Sequence, residues 1–305
     1  MHQIQVSAPK GKGEAVAKLA LKNGIQQASV QQAYVYGPNK DQEVVTIQTD
    51  TPAAKSFVDD LMLADFFNPQ DYSIASQTLP AIISSEAPQK ITQPFLMPVS
   101  DVYQDLWSRN HINPTYLTQA FVSALLLSYG MIQNELLIMA AALLITPFLP
   151  QVLAIGFGLL TRQFRLAAQG GLILLLSTVI TIISGAIVAS LTGGPLQYNS
   201  FSPILVNFLI SLIVGIVAGF ATGDINGRRQ LIAFAAAAQF AIYPAWYGIM
   251  LVLGLPDAAT VTQRWSTYLI NVATILVVSV VVYVAMRYRA KAIRNYSQAV
   301  ELQEE

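Results

Sequence analysis

The chain has 305 residues, of which 54% are hydrophobic and only 11% are charged, and its formal net charge is zero. Because soluble domains carry about 25% charged residues, this composition indicates an integral membrane protein, and the charge balance gives no reason to expect a nucleic-acid partner. The chain contains no cysteine, which excludes disulfides, thiol catalysis and cysteine metal sites.

The first 80 residues alternate between predicted strands and helices in the order βαββαβ, which is the ferredoxin-like arrangement of many ligand-sensing modules. The N-terminus lacks the apolar region of a signal peptide, so this domain is expected to stay in the cytoplasm. The strands are predicted at Gln3 to Ser7, Ala28 to Tyr36, Glu43 to Thr49 and Tyr72 to Leu79, and the helices at Glu14 to Asn23 and from Thr51 onward.

The segment PKGKGE links the first strand to the first helix with two glycines and two lysines. Backbone amides at a helix N-terminus bind anions, and lysines add positive charge. A tight polar turn explains the glycines equally well. The first alternative predicts a site for a small-molecule regulator, formed by Lys10, Gly11, Lys12 and Gly13.

Residues 81–112 are predicted to connect this domain to the membrane. The stretch to Pro98 carries three prolines among polar residues, which is typical of a linker. Ser100-Asp101 can cap a short helix, VYQDLWSRN, that would lie at the membrane surface as an elbow. A transmembrane domain over residues 113–289 and a cytoplasmic tail over residues 290–305 complete the predicted organisation.

Six apolar segments form the predicted transmembrane domain, and none contains Asp, Glu, Lys, Arg or His. If each segment crosses, every cation of the connections except Arg264 falls on one side, so the positive-inside rule places both termini in the cytoplasm of a cell (inner) membrane protein. The segments are Tyr116 to Ile132, Leu136 to Leu160, Leu166 to Leu191, Ser202 to Thr222, Leu231 to Leu255 and Trp265 to Met286.

The second segment carries Pro147 and Pro150 at its middle. An interior proline costs about 3 kcal/mol, and within lipid the freed carbonyls need a protein or water partner. The fifth segment repeats the pattern, because Ile145-Thr146-Pro147 aligns with Ile242-Tyr243-Pro244. Coincidence is the alternative to a repeat, since alanine and proline are common in membrane helices. Broken helices at corresponding positions predict an inverted 3+3 repeat with a transport-type site.

Buried amides within these segments need a partner or a wet cavity. The hydroxyls of the third segment, including Ser177, are instead predicted to bond back to their own helix. Half-helix N-termini after Pro150 and at Pro244 would favour an anion. The predicted substrate pathway comprises Thr146, Pro147, Pro150, Gln239, Tyr243, Pro244 and Asn271.

The segments offer no acid, base or metal ligand, so no enzyme activity, metal or cofactor is expected. The predicted function is a transporter or channel for a small anionic or polar solute, regulated by the cytoplasmic domain. The alternative is a membrane-anchored ligand sensor that transports nothing. The spacing of Gly215, Gly219 and Gly223 serves either packing within the chain or a homo-oligomer, for which a dimer is favoured.

The stretches NPTYL at Asn113 to Leu117, MAAALLITPFLP and AAAAQFAIYP resemble the bacterial and archaeal membrane family catalogued as domain of unknown function 389. The resemblance covers the elbow through the sixth segment and a similar small N-terminal domain. Met139, the close spacing of the prolines and the aromatic residues Tyr243, Trp246 and Tyr247 depart from that family's pattern. The resemblance therefore implies a fold and no activity.

Overall fold

A computed structural model of the chain describes residues 2–34, 41–49, 51–68, 71–78, 99–223 and 229–286. The described chain divides into two compact units, one ending at Gln104 and the other beginning at Asp105. Residues 35–40, the linker to Pro98 and the C-terminal tail lie outside the described residues.

The first unit contains a four-stranded antiparallel sheet in the order β2-β3-β1-β4. All four predicted strands and both predicted helices are confirmed, with boundaries that shift by a few residues. The elements are β1 (His2–Pro9), α1 (Gly13–Lys22), β2 (Ala28–Tyr34), β3 (Asp41–Thr49), α2 (Thr51–Met62) and β4 (Ser73–Thr78).

One face of this sheet forms the core of the first unit, because alternate residues of a strand point to the same face. Val6 of β1 pairs with Val45 of β3 and Ile74 of β4, and the two valines are fully buried. Phe57 and Leu61 of α2 are buried in the same cluster. The alternation of apolar and polar residues that predicted β1 thus determines which face of the sheet the helices cover.

The second unit consists of helices, and α3 (Val99–Arg109), the predicted elbow, contains the boundary between the units. Five helical stretches among the described residues are long and apolar enough to cross a membrane, and a pair of helices bent by 42° adds a sixth if it is one span. The remaining helices are α4 (Pro114–Gln133), α5 (Leu136–Ile145), α6 (Leu149–Thr161), α7 (Phe164–Thr192), α8 (Ile204–Gly223), α9 (Arg229–Phe240), α10 (Ile242–Leu253) and α11 (Ala258–Ala285).

The two helices of the bent pair α5–α6 together cross the bundle once. Tyr116 at the start of α4 bonds to Ser177 of α7, and the amide of Tyr198, beyond the end of α7, donates to the carbonyl of Met131 near the end of α4, 3.0 Å away. Helices α4 and α7 therefore run parallel. Because α5 begins at the end of α4 and α6 ends at the start of α7, the pair must return across the bundle.

Helices α8 and α11 also run parallel and approach closely through glycine. A methyl group on Gly215 would lie 3.0 Å from Val278, and one on Gly219 would lie 2.8 Å from Val282. The hydroxyl of Tyr283 donates to Thr222 at the same end of the pair, over 3.2 Å. These two glycines thus serve packing within the chain, while the dimer stays a prediction.

Candidate functional site

The first candidate feature is the break between α5 and α6. Helix α5 ends at Ile145, and Thr146 is extended, with φ −67° and ψ 123°. The residue before a proline is pushed out of the helical conformation, and Pro147 itself has no N–H to continue the ladder. Pro150 causes no second break, because it lies in the first turn of α6, where its missing N–H costs little.

Side-chain amides satisfy two of the backbone carbonyls at the break. Gln119 of α4 donates to the carbonyl of Ile145 over 2.6 Å, and Gln151 of α6 donates to the carbonyl of Pro147 over 2.8 Å. The hydroxyl of Thr146 donates back to the carbonyl of Ala142 over 2.9 Å. Protein groups therefore supply the partners that irregular backbone requires at this depth.

Gln151 also belongs to a buried polar cluster with Tyr116 and Ser177. Its Nε2 donates to the Tyr116 hydroxyl and, over 3.2 Å, to Ser177 Oγ, and the two hydroxyls bond to each other. Gln151 is only 1% exposed, and its Oε1 has no partner among the described residues. Because a buried acceptor without a partner costs about 1–3 kcal/mol, this oxygen is a natural contact point for a solute.

Sequence reasoning missed Gln151, although a single amide in an otherwise apolar run directly after Pro150 was the available signal. The prediction for Ser177 was correct in part. Its hydroxyl bonds back to the carbonyl of Ile173 over 2.7 Å, as expected, and also contacts Tyr116 on another helix. A hydroxyl that bonds to its own helix can still accept from a neighbouring one.

A narrow crevice lies beside the break, between Thr146, Pro147 and Phe148 on one side and Ser177 and Thr181 of α7 on the other. It is too narrow to hold a water molecule. The site around the first break is therefore closed in this structure.

The break in the second half is milder than the first. Only Ala241 separates α9 from α10, and residues 232–253 form one apolar stretch without a sharp bend. The amide of Ala245 still donates to the carbonyl of Ala241, over 3.1 Å. Pro244 lies in the first turn of α10, where the absence of its N–H disturbs the backbone little.

Gln239 and Asn271 meet at this second interruption. Asn271 of α11 donates to the backbone carbonyl of Gln239 over 3.2 Å, and Ser211 of α8 donates to the Gln239 side-chain oxygen over 3.4 Å. Asn271 is fully buried, and its Oδ1 has no hydrogen-bond partner among the described residues. The phenol of Tyr243 lies beside the amides of Asn271 and Asn207.

The structure thus groups the predicted pathway residues into two clusters rather than one. Thr146 and Pro147 belong to the first, and Gln239, Tyr243 and Asn271 to the second. The rings of Phe148 and Phe240 lie between the two breaks, with their centroids 6.4 Å apart.

Pro150, in the first turn of α6, faces a third environment. Its carbonyl accepts a hydrogen bond from Asn110 Nδ2, 3.2 Å away. It also lines a cavity of about 110 Å3 with Asp105, Arg109 and Thr222. Pro150 therefore lines this cavity and not the crevice beside Pro147.

The predicted regulatory site in the first unit is already occupied in part by carboxylates of the same chain. The amide of Gly13 donates to Glu43 Oε2 over 2.6 Å, and Lys10 forms a 3.1 Å ion pair with Asp41. A methyl group on Gly13 would lie 2.7 Å from that Glu43 oxygen, which explains the glycine. An external anion would have to displace Glu43 from the helix N-terminus.

Comparisons with known protein families, with characterised proteins and with solved structures find no match to this chain.

Proposed function

We propose that this protein is a membrane transporter or channel for a small anionic or polar solute. The observation that carries the proposal is the bent α5–α6 pair. A transmembrane helix that breaks inside a bundle gives up backbone hydrogen bonds and needs polar groups around it to replace them. A helix that serves only as an anchor gains nothing from this, whereas transporters use such breaks to form a site.

Polar groups at both breaks support a solute rather than a purely structural role. Gln151 Oε1 and Asn271 Oδ1 are buried acceptors without a hydrogen-bond partner in the described part of the chain. Helix α6 begins directly after the first break, and the positive end of its dipole favours an anion there. Together these groups favour a solute that carries a negative charge and can also donate hydrogen bonds.

Helix lengths support the inverted 3+3 repeat that we infer for the bundle. Helix α4, the pair α5–α6 and α7 have 20, 10 plus 13, and 29 residues, and α8, the pair α9–α10 and α11 have 20, 12 plus 12, and 28. The first and third helices run parallel within each half. In the other unit, the strand order β2-β3-β1-β4 and the crossover helices support a ferredoxin-like domain.

The charges of the connections support a location for this protein. Arg162 and Arg165 lie where α6 meets α7, and the positive-inside rule assigns this end to the cytoplasm. We therefore propose a multi-pass protein of the cell membrane with both termini inside. The domain at the N-terminus would regulate the flux by binding a small molecule.

Flux assays on purified protein in liposomes test this function. Replacing Gln239 by Leu removes an amide at the second break with little change in volume, so flux should fall at least tenfold if the amide contacts the solute. Replacing the exposed Gln133 by Leu is the matched control and should leave flux unchanged.

Melting temperatures of the same preparations separate the outcomes. An interhelical hydrogen bond in a membrane is worth about 0.6–2 kcal/mol, so a purely structural Gln239 would lower stability without changing flux. A wild-type protein that is folded and moves no solute or ion would overturn the proposal and favour the membrane-anchored sensor.

A further inference from the structure

A large open cavity of about 850 Å3, here called the vestibule, lies at the end of the bundle where α7 ends and α8 begins. Residues 193–201 of the connecting segment form one wall, and the ends of α10 and α11 form the other. Small-molecule sites usually occupy about 300–1,000 Å3, so the vestibule has the size of a ligand pocket.

Arg264 is the only cation among the described residues that line the vestibule. It lies in the second turn of α11, and its guanidinium carbon is 3.8 Å from the centroid of the Phe201 ring. Its Nε is buried and has no hydrogen-bond partner within the described ranges. Sequence reasoning treated Arg264 only as an exception to the positive-inside rule.

No carboxylate of the described chain neutralises this guanidinium. Lys10, Lys18 and Arg109 each form an ion pair with a carboxylate, whereas none joins Arg264 to a carboxylate of the described residues. Asp257, the acid closest to Arg264 along α11, uses both of its oxygens on Thr260, one on the backbone amide and one on the hydroxyl. Arg264 is therefore a partly buried cation without a carboxylate partner among the described residues.

The stacking of Arg264 on Phe201 leaves a specific part of the guanidinium for a ligand. The aromatic ring covers one face, and the N–H groups point outward along the edge in the plane of the group. That edge matches the two oxygens of a carboxylate, which a guanidinium binds through two parallel hydrogen bonds.

Aromatic side chains surround Arg264. The ring of Phe201 lies 5.1 Å from that of Tyr198 and 6.1 Å from that of Trp246, measured between centroids. Burial raises the pKa of the Tyr198 phenol, and the nearby Arg264 charge opposes this shift. The phenol is thus neutral at physiological pH and gives Arg264 no negative partner.

The vestibule adjoins the second break of the proposed pathway. Phe201, which stacks under Arg264, also contacts Tyr243, with ring centroids 5.9 Å apart. Tyr243 in turn lies beside Asn271. A chain of contacts through these two rings thus connects Arg264 to the buried amides.

We propose that the vestibule binds a small organic carboxylate, whose carboxylate group pairs with Arg264 and whose apolar part contacts Tyr198, Phe201 and Trp246. This inference rests on the proposed transport function, for which it supplies the class of solute. A phosphate fits less well, because a dianion is held best by several cations and the described lining offers one.

Binding to the full-length protein in detergent tests the site, with benzoate as the probe and neutral benzamide as its comparator. Isothermal calorimetry should detect benzoate and show at least tenfold weaker binding of benzamide. Arg264→Gln should weaken benzoate binding at least tenfold. Arg264→Lys should weaken it less, because it keeps the charge and loses the planar fork. Trp246→Leu should also weaken binding, and Arg162→Gln, at the other end of the bundle, should not.

Several results would overturn the inference: no benzoate binding by the wild-type protein, equal affinity for benzamide, tighter binding of inorganic phosphate, or unchanged binding in Arg264→Gln. If Arg264→Gln does not fold, the site is tested by comparing benzoate with benzamide in the wild-type protein and by benzoate binding to Trp246→Leu. Liposome flux separates this inference from the proposed function. If benzoate binds and no solute is transported, the proposed transport function is wrong and the binding site stands. If another solute is transported and benzoate does not bind, the proposed site is wrong and the transport function stands.

Discussion

The side-chain amide of Gln151 donates a hydrogen bond to the backbone carbonyl of Pro147, 2.8 Å away, and so links the first turn of α6 to the residue that interrupts α5–α6. The same nitrogen reaches Ser177 on α7 over 3.2 Å. The Gln151 side chain thus bonds to the backbone at the bend and also to a neighbouring helix. We therefore expect the bent conformation to require Gln151.

Replacing Gln151 by Leu tests that dependence. The change removes the hydrogen bonds to Pro147, Tyr116 and Ser177 at nearly constant volume, so we expect a loss of about 1–2 kcal/mol in the free energy of unfolding. Flux should fall as well, because Oε1 is the free acceptor of the cluster. Thermal unfolding in detergent and flux in liposomes provide the two measurements, with Gln133→Leu as the control. An unchanged melting temperature would show that the bend does not need this residue.

The contact between α7 and α10 depends on glycine at position 248. A methyl group there would collide with the backbone carbonyl of Ile182. Overpacking of this kind costs about 1–3 kcal/mol, so Gly248→Ala should lower the melting temperature clearly.

Gly171 of α7 provides the matched control for this substitution. A methyl group at Gly171 would meet no atom within 4 Å. Because alanine is favoured over glycine in a helix by about 1 kcal/mol, Gly171→Ala should leave stability unchanged or raise it. Equal destabilisation by the two variants would contradict the close approach of α7 and α10.

The proposed orientation can be checked by labelling single cysteines, because the chain has none of its own. Asn199 and Arg162 are both exposed and lie at opposite ends of the bundle. Asn199→Cys should react with a membrane-impermeant maleimide in intact cells, and Arg162→Cys only after permeabilisation. The reverse pattern would place the termini outside, and labelling of both positions from one side would contradict the crossing by α7.

The contact of Glu43 with Gly13 allows a test of the predicted regulatory site. Glu43→Gln weakens the charge-assisted hydrogen bond to the Gly13 amide, so the first unit should lose about 0.5–1.5 kcal/mol of stability. If Lys10, Lys12 and the glycines bind an anion, citrate should bind this variant more tightly than the wild type, because its competitor has lost its charge.

Two further variants complete this test. Adding Lys10→Ala and Lys12→Ala to Glu43→Gln should remove the gain in citrate affinity. Lys18→Ala is the control, since Lys18 pairs with Glu14 on an exposed helix face. Citrate binding that is the same in Glu43→Gln and in the wild type would favour the tight polar turn over the regulatory site.

The sequence by itself determined the elements of both units, because they follow from local properties of the chain. The alternation of apolar and polar residues in β1 decides which of its side chains face the core, and Val6 is buried accordingly. Pro147 likewise determined the end of α5 at Ile145, since a proline disfavours helical backbone in the residue before it.

Only the tertiary structure decided how severe each break is and which groups surround it. Both halves contain a central proline, yet the second half bends little, because α10 restarts just before Pro244 and leaves the proline in a first turn. The hydrogen-bond partners of Gln151, Tyr116 and Ser177, lie 35 and 26 residues away from it in the sequence. Phe201, which precedes α8, and Arg264 of α11 likewise meet although α8, α9 and α10 separate them along the chain. Such contacts depend on the positions of whole helices, and local propensity carries no information about those positions.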